Sequence, residues 1–130
     1  MRCLSMILLI SMILLNPIPI SQEPPVVIEQ KPQIIDLGEF KITAYCPCTK
    51  CCGKWANGIT STGVTAQANR TIAVDPSVIP YGTRVLIDGN EYFAEDCGGA
   101  IKGKRIDIYF DTHKEALQWG VKYKGVLLVE

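Results

Sequence analysis

The fold is decided by the stretch Arg105–Phe110, which has the sequence RIDIYF. Apolar residues alternate with polar ones on a period of two, which is typical of a β-strand with one face in a core. Ile106 and every second residue after it share the face that we expect to be buried. Asp107 lies on the opposite face. Because strands disfavour aspartate, we expect this residue to point away from the core for a functional reason.

The segments around this strand predict an all-β fold. A tight hairpin is expected at Asp88–Asn90, where Gly follows Asp, and one short helix is expected between a cap at Asp111 or Thr112 and Gly120. Residues 54–69 are polar and rich in glycine, which predicts a long loop. Because helices do not alternate with strands, we predict a six-stranded β-barrel rather than a parallel α/β sheet. The other predicted strands are Phe40–Tyr45, Thr71–Asp75, Arg84–Ile87, Glu91–Asp96 and Gly125–Val129.

The N-terminal part of the chain differs from the rest in composition. A basic start followed by an apolar run to Leu15 predicts a signal peptide, and hence a secreted or cell-envelope protein. Asn16–Ser21 offers no clean cleavage site, so a retained membrane anchor and an apolar N-terminus in a cytoplasmic protein stay open. We therefore divide the chain into a signal peptide or anchor at 1–21, a proline-rich spacer at 22–37 and a folded domain at 38–130.

Charge excludes some partners. Thirteen basic and thirteen acidic residues give a formal net charge of zero. The sequence has no basic stripe of the kind that binds nucleic acid, so a neutral or modestly charged polymer is the plausible partner. We expect the chain to act as a monomer.

The sequence contains six cysteines, and Cys3 lies in the apolar leader. In an exported protein disulfides are favoured. Four cysteines cluster in residues 46–52, the cysteine loop, and a pairing of this loop with Cys97 is attractive. Zinc is the alternative, because the Cys48-x-x-Cys51 spacing is typical of metal ligands. The candidate zinc ligands are Cys46, Cys48, Cys51 and Cys52.

Three aspartates are candidates for catalysis. Asp75 and Asp96 lie at the ends of predicted strands, and Asp107 lies within one. If they converge, neighbouring carboxylates suppress each other's ionisation, and one can hold a proton for use as an acid. The alternative is that Asp75 stabilises a turn and Asp96 bonds the amides of the Gly98–Gly99 turn.

Four other polar or aromatic residues are candidates for catalysis or substrate binding. His113 is the single histidine, and a solvated position at a helix start is its favoured interpretation. Lys102 could contact a substrate oxygen or carboxylate. Tyr45 and Trp55 could stack on sugar rings, although Tyr45 could equally border the core and Trp55 could anchor a loop.

Several motifs together resemble the 3D (three-aspartate) domain family over about residues 38–130. The family includes the catalytic barrel of membrane-bound lytic transglycosylase A and the stationary-phase and resuscitation-type wall enzymes of firmicutes. The resemblance implies a double-psi β-barrel. The motifs are Thr43–Tyr45, Ser61–Gly63, Ala73–Pro76, Ile79–Thr83 and Ala94–Tyr109.

The resemblance also implies an activity. It is cleavage of the MurNAc–GlcNAc bond of peptidoglycan by a lytic transglycosylase that leaves 1,6-anhydro ends, with Asp107 as acid and base, Asp96 tuning it and Asp75 shaping the site. No cofactor or metal is required. The alternatives are a wall-binding barrel without catalysis and a cysteine-rich metal or redox protein. The candidate substrate-binding residues are Tyr45, Thr62, Gly63, Gly98, Gly99 and Lys102.

Overall fold

The computed structural model of the chain describes residues 13–130. The chain divides after residue 30 into two units. The described part of the first unit, residues 13–30, contains no helix or strand, and its side chains are exposed. Most of the predicted signal peptide or anchor, residues 1–12, lies outside the described residues. From residue 13 onwards, no helix has the length and apolar character needed to cross a membrane.

The second unit is a closed barrel of six strands. Around the barrel the strands follow the order β1-β5-β2-β4-β3-β6, in which β1 pairs in parallel with β5 and β2 pairs in parallel with β4. The remaining neighbours are antiparallel. The predicted six-stranded double-psi barrel is confirmed. The elements are β1 Ile34–Tyr45, α1 Thr49–Cys52, a 3₁₀ turn Gly53–Trp55, β2 Thr71–Ala73, β3 Arg84–Ile87, β4 Asn90–Asp96, β5 Arg105–Tyr109, α2 His113–Trp119 and β6 Lys122–Val129.

The core lies inside the barrel, and β5 contributes to it as predicted. Ile106 and Ile108 are fully buried, and Phe110 packs against the core from its edge. Asp107 lies on the other face of the strand, where it is half-buried. Removing this much apolar surface from water is the main source of stability in a domain of this size. The core comprises Phe40, Ile42, Ile72, Val74, Ile79, Val85, Ile87, Tyr92, Ala94, Ile106, Ile108 and Val126.

The barrel starts earlier than residue 38, because β1 begins at Ile34. Its first residues pair with the end of β6 before the register shifts between Asp36 and Glu39. Gly38 occupies this irregularity with φ 83°, and its N–H donates to Asp36 Oδ1 at 2.8 Å. The bulge interrupts the period-two pattern, so the sequence showed only the second half of the strand.

The described residues contain two short α-helices, whereas one helix was predicted. The additional helix, α1, lies in the cysteine loop and is four residues long. A single turn displays no apolar period, so no pattern could have indicated it. The predicted helix, α2, begins at His113 behind a capping box in which Thr112 and Glu115 bond each other's backbone N–H. At its other end, Trp119 Nε1 donates to the carbonyl of Ile42 in β1 at 3.4 Å.

Candidate functional site

A cavity of about 680 Å³ opens beside strands β1, β2, β4 and β5. This volume lies within the range of small-molecule and oligosaccharide-sized clefts. Backbone register explains which side chains form its base, because Ala73 of β2 pairs with Asp107 on one side and with Asp96 on the other. The two carboxylates are therefore two strand spacings apart, with about 10 Å between their Cα atoms. The small side chain of Ala73 leaves the space between them open.

Asp107 occupies a poorly solvated position in this cavity. Burial raises the pKa of its carboxyl group, and the charge of Asp96 adds to the rise. The Thr43 hydroxyl, which donates to Asp107 Oδ1 at 3.0 Å, and the Arg105 guanidinium lower the same pKa, but burial outweighs them. Within residues 13–130, Thr43 is the one hydrogen-bond donor to this carboxylate. An acid that holds its proton at higher pH than usual suits general acid catalysis.

Asp96 is held much more firmly. Its Oδ1 accepts from the Ser61 N–H at 2.9 Å, from the Ser61 hydroxyl at 2.7 Å and from the Cys97 N–H at 2.9 Å. Its Oδ2 accepts from the Tyr45 hydroxyl at 2.8 Å. Burial, then the charge and hydrogen bond of Asp96, raise the pKa of Tyr45 far above its usual range, so this phenol stays a neutral donor. Asp96 thus ties the loop at Ser61 and the end of β1 to the cavity.

A bulge in β4 directs Asp96 towards the cavity. Between Ile72 and Ala73 the pairing of β2 with β4 skips Glu95. The Glu95 carboxylate turns to the other side, where it accepts two hydrogen bonds from Arg70 and one from the buried Thr71 hydroxyl. Bulges commonly redirect a side chain next to a functional site.

Of the predicted site residues, the structure brings five together around the cavity and places four elsewhere. Gly98 and Gly99 line the cavity together with Tyr45, Asp96 and Asp107. The exposed Trp55 also lines it, and its stacking on a sugar ring stays a prediction. The four predicted residues outside the lining are Asp75, Thr62, Gly63 and Lys102.

Asp75 stabilises turns. It accepts from the N–H and hydroxyl of Ser77 and, through Oδ2, from the Gly103 N–H at 2.8 Å. The bond from Gly103, followed by those from Ser77, lowers the pKa of Asp75 to about 2. Asp75 therefore joins the β2–β3 turn to the β4–β5 turn that carries Lys102. That Asp75 shapes the site stays a prediction, and Asp75 would do so through these turns.

Thr62 and Gly63 each donate a hydrogen bond to a backbone carbonyl. The Thr62 hydroxyl donates to the Glu95 carbonyl at 2.9 Å, and the Gly63 N–H donates to the Thr60 carbonyl at 2.9 Å. These contacts fix the loop that carries Ser61. Their predicted contact with substrate stays a prediction.

The cysteines do not form the disulfide that the sequence favoured. Cys46, Cys48, Cys51, Cys52 and Cys97 all have free thiols, and the Cys97 sulfur lies 3.1 Å from the Ser61 hydroxyl, so the pairing with Cys97 is not formed. Three of the sulfurs instead cluster with His113, whose Nδ1 is 3.4–3.6 Å from each of them. His113 is the first residue of α2, as predicted, but it is partly buried and faces these sulfurs, so its interpretation as solvated is wrong. Cys52, a candidate zinc ligand, lies outside this cluster and donates to the Cys46 carbonyl at 3.2 Å.

A family model, curated proteins and solved structures each show similarity to this chain. Residues 70–130 match the family model named 3D domain. The matched segment covers slightly less than half of the chain. It contains Asp75, Asp96 and Asp107, the aspartates for which we take the family to be named, whereas the cysteine loop precedes it.

Relatives of the chain among curated proteins come from Bacillus subtilis strain 168. The chain is 46% identical over 74 residues to "Cell wall-binding protein YocH", which covers 54% of this chain and 26% of that protein. It is 44% identical over 85 residues to "Putative cell wall shaping protein YabE", covering 62% and 20%. The chain therefore spans between about a fifth and a quarter of the length of these relatives.

Two solved structures of the Escherichia coli lytic transglycosylase MltA resemble the barrel. An apo form of an MltA variant superposes with a TM-score of 0.50 at 28% identity, covering 55% of this chain and 27% of that one. MltA with bound chitohexaose gives 0.50 at 27% identity with the same coverage. The structural relatives are thus named as lytic transglycosylases, and a sequence relative is named for wall binding.

Proposed function

We propose that this chain is a peptidoglycan lytic transglycosylase that uses Asp107 as its acid and base. The likeness to MltA, one structure of which holds chitohexaose, supports a glycan as the ligand of the cavity. The names of the Bacillus relatives support the cell wall as its location. Export to the cell envelope follows from this proposal together with the apolar N-terminal sequence.

The contrast between the two cavity carboxylates carries the proposal. Both oxygens of Asp96 are occupied by four donors, whereas Asp107 receives one hydrogen bond from the described residues and has a raised pKa. A carboxylate saturated with donors is a poor base and a poor nucleophile. Asp107 is therefore the group that exchanges a proton with substrate.

A single exchanging carboxylate favours an internal nucleophile. Hydrolytic glycosidases of the common type employ two carboxylates, one as acid and the other as base or nucleophile. In a lytic transglycosylase, Asp107 donates its proton to the glycosidic oxygen as the bond from MurNAc C1 breaks, which leaves GlcNAc with a 4-hydroxyl. The 6-hydroxyl oxygen of the same MurNAc then bonds to C1, and its proton passes to the Asp107 carboxylate. The nucleophile is already held in place, and no water is consumed.

Thr43 can support both protonation states of Asp107. Its hydroxyl lies 3.0 Å from Asp107 Oδ1 and 3.4 Å from the carbonyl oxygen of Ile106. The hydroxyl donates to the carboxylate form. When Asp107 is protonated, the hydroxyl hydrogen can turn to the Ile106 carbonyl, and Thr43 then accepts from the acid. The backbone pairing of Thr43 with Asp107 keeps this contact in place through the cycle.

The test is incubation of the full chain with purified peptidoglycan, followed by mass analysis of the released muropeptides. We expect 1,6-anhydromuramyl products, and we expect Asp107→Asn to lower the rate by about 10²–10⁴-fold, the usual contribution of a general acid. Asp111→Asn, an exposed carboxylate next to the same strand, is the matched control and should retain full activity. Products with reducing ends would show that water attacks and would refute the mechanism.

Wall binding without catalysis is the second candidate, and the name of the 46% identical relative favours it. The exposed Trp55 and the open cavity suit binding as well as cleavage. If the protein sediments with peptidoglycan, releases no muropeptides and binds equally well as Asp107→Asn, the binding role replaces the enzyme.

A further inference from the structure

We propose that Cys46, Cys48, Cys51 and His113 bind one zinc ion in a closed tetrahedral site that joins the cysteine loop to helix α2. The site is independent of the proposed reaction, since it uses none of the cavity carboxylates. Its sulfur and nitrogen ligand atoms all lie within 4.8 Å of one another.

The interatomic distances suit zinc. With Zn–S bonds of about 2.3 Å and Zn–N bonds of about 2.0 Å, ligand atoms at the corners of a tetrahedron are roughly 3.5–3.8 Å apart. His113 Nδ1 lies 3.6, 3.4 and 3.5 Å from the sulfurs of Cys46, Cys48 and Cys51. The sulfurs of Cys46 and Cys51 are 3.4 Å apart. Cys46 and Cys48 are closer, at 2.8 Å, and this pair has to open by about 1 Å around the ion.

Three separate backbone features hold the ligands in position. Cys46 is fully buried directly after β1. Cys48 caps α1, and its carbonyl accepts from the N–H groups of Cys51 and Cys52, which turns Cys51 back towards it. His113 is the first residue of α2, whose start is fixed by the Thr112 capping box. These backbone contacts bring the four ligands to one place.

The imidazole distinguishes a metal site from a disulfide. A disulfide uses two sulfurs at about 2.05 Å and gives His113 no role. The Nδ1 atom, however, faces three sulfurs at once. The nearby thiol of Cys52 is directed to a backbone carbonyl instead, and three cysteines with one histidine are a common structural zinc set.

The proposed ion would fix one wall of the cavity. Cys51 is a proposed ligand, Cys52 follows it at the end of α1 and Trp55 ends the adjoining 3₁₀ turn; all three line the cavity. With four protein ligands, no coordination position is left for substrate, so the ion acts on structure and not on the reaction.

The test is the metal content of the full chain, purified without chelator under reducing conditions. We expect one zinc ion per chain, and after exchange with cobalt the absorption of a tetrahedral thiolate complex. His113→Ala should lower zinc affinity by more than about 100-fold, beyond the effect of residues that only orient ligands. His113→Cys should restore binding. Cys52→Ser and Cys97→Ser are the matched controls and should keep the ion.

Several results would overturn this site. Zinc content that is lost in Cys52→Ser but kept in His113→Ala would assign the ligands to the four cysteines alone. Absence of bound zinc under reducing conditions, together with a Cys46–Cys48 disulfide detected by mass in protein purified without reductant, would replace the metal with a covalent link. If His113→Ala fails to fold, the cobalt spectra of the wild type and of His113→Cys decide, because exchange of nitrogen for sulfur must alter the charge-transfer band.

Discussion

Glu95→Gln tests whether the bulge in β4 is held by a buried carboxylate. Glu95 is 8% exposed, and its Oε1 accepts from Arg70 Nε at 3.0 Å and Nη2 at 2.8 Å. Its Oε2 accepts from the Thr71 hydroxyl at 2.9 Å. Glutamine keeps the size and one carbonyl oxygen, but it removes the charge and turns an amide NH₂ towards Thr71.

The two interactions contribute unequally to stability. The Arg70 side chain is 45% exposed, so solvent reduces the value of its ion pair to about 1 kcal/mol or less. Thr71 is fully buried, and its hydroxyl already accepts from the Gln67 N–H, so its hydrogen loses the one available acceptor. An orphaned buried donor costs about 1–3 kcal/mol. The free energy of unfolding should therefore fall by about 2–3 kcal/mol, which lowers Tm by about 10–20 °C in a domain of this size.

Thermal and urea unfolding of the full chain, followed by circular dichroism, provides the assay. Glu91→Gln is the matched control, because Glu91 pairs with Arg84 at 3.8 Å in an exposed position on the same strand. Its effect should stay within about 0.5 kcal/mol. If Glu95→Gln destabilises the protein no more than Glu91→Gln, the carboxylate does not hold the bulge and the reasoning is wrong.

Three further changes follow from the site and its supports. Asp107→Asn should raise the free energy of unfolding near neutral pH, because the raised pKa of Asp107 means that the folded state disfavours its carboxylate form. This gain should disappear as pH falls below the pKa that Asp107 has in the unfolded chain. Urea unfolding at several pH values measures it, and a gain that grows in acid would contradict the reasoning. Thr43→Val removes a hydrogen bond that lowers the pKa of Asp107, so the alkaline limb of kcat/KM should move to higher pH, whereas Thr71→Val should leave the limb in place. Thr112→Ala should cost about 1 kcal/mol in thermal unfolding through loss of the cap of α2, while Thr65→Ala in an exposed loop should cost much less.

Patterns that repeat along the chain were enough to predict most of the barrel. The alternation in Arg105–Phe110 gave the strand and the outward face of Asp107. The hairpin at Asp88–Gly89 was predictable because both residues adopt positive φ, 51° and 76°, which Asp-Gly pairs favour. The cap at Thr112 was indicated by the residue type itself.

Features that depend on distant partners could not be predicted in this way. The bulge at Gly38 and the skipped pairing at Glu95 depend on the register of the neighbouring strands, which no local period contains. The cluster of three cysteines with His113 joins positions that are more than 60 residues apart in sequence. Cys48-x-x-Cys51 indicated a possible metal site, but only the packing of α2 against β1 could identify the fourth ligand.

The same distinction explains why the sequence does not reveal how differently the three aspartates are buried and hydrogen-bonded. Asp75 accepts turn N–H groups at the surface, so its charge is stabilised and its pKa falls to about 2. Asp96 is directed by the bulge towards four donors. Asp107 faces the same cavity from a straight strand with a single donor and raised pKa, because a regular strand brings no free backbone N–H to its side chains. The regularity that made β5 the clearest strand in the sequence also leaves its aspartate free to carry a proton.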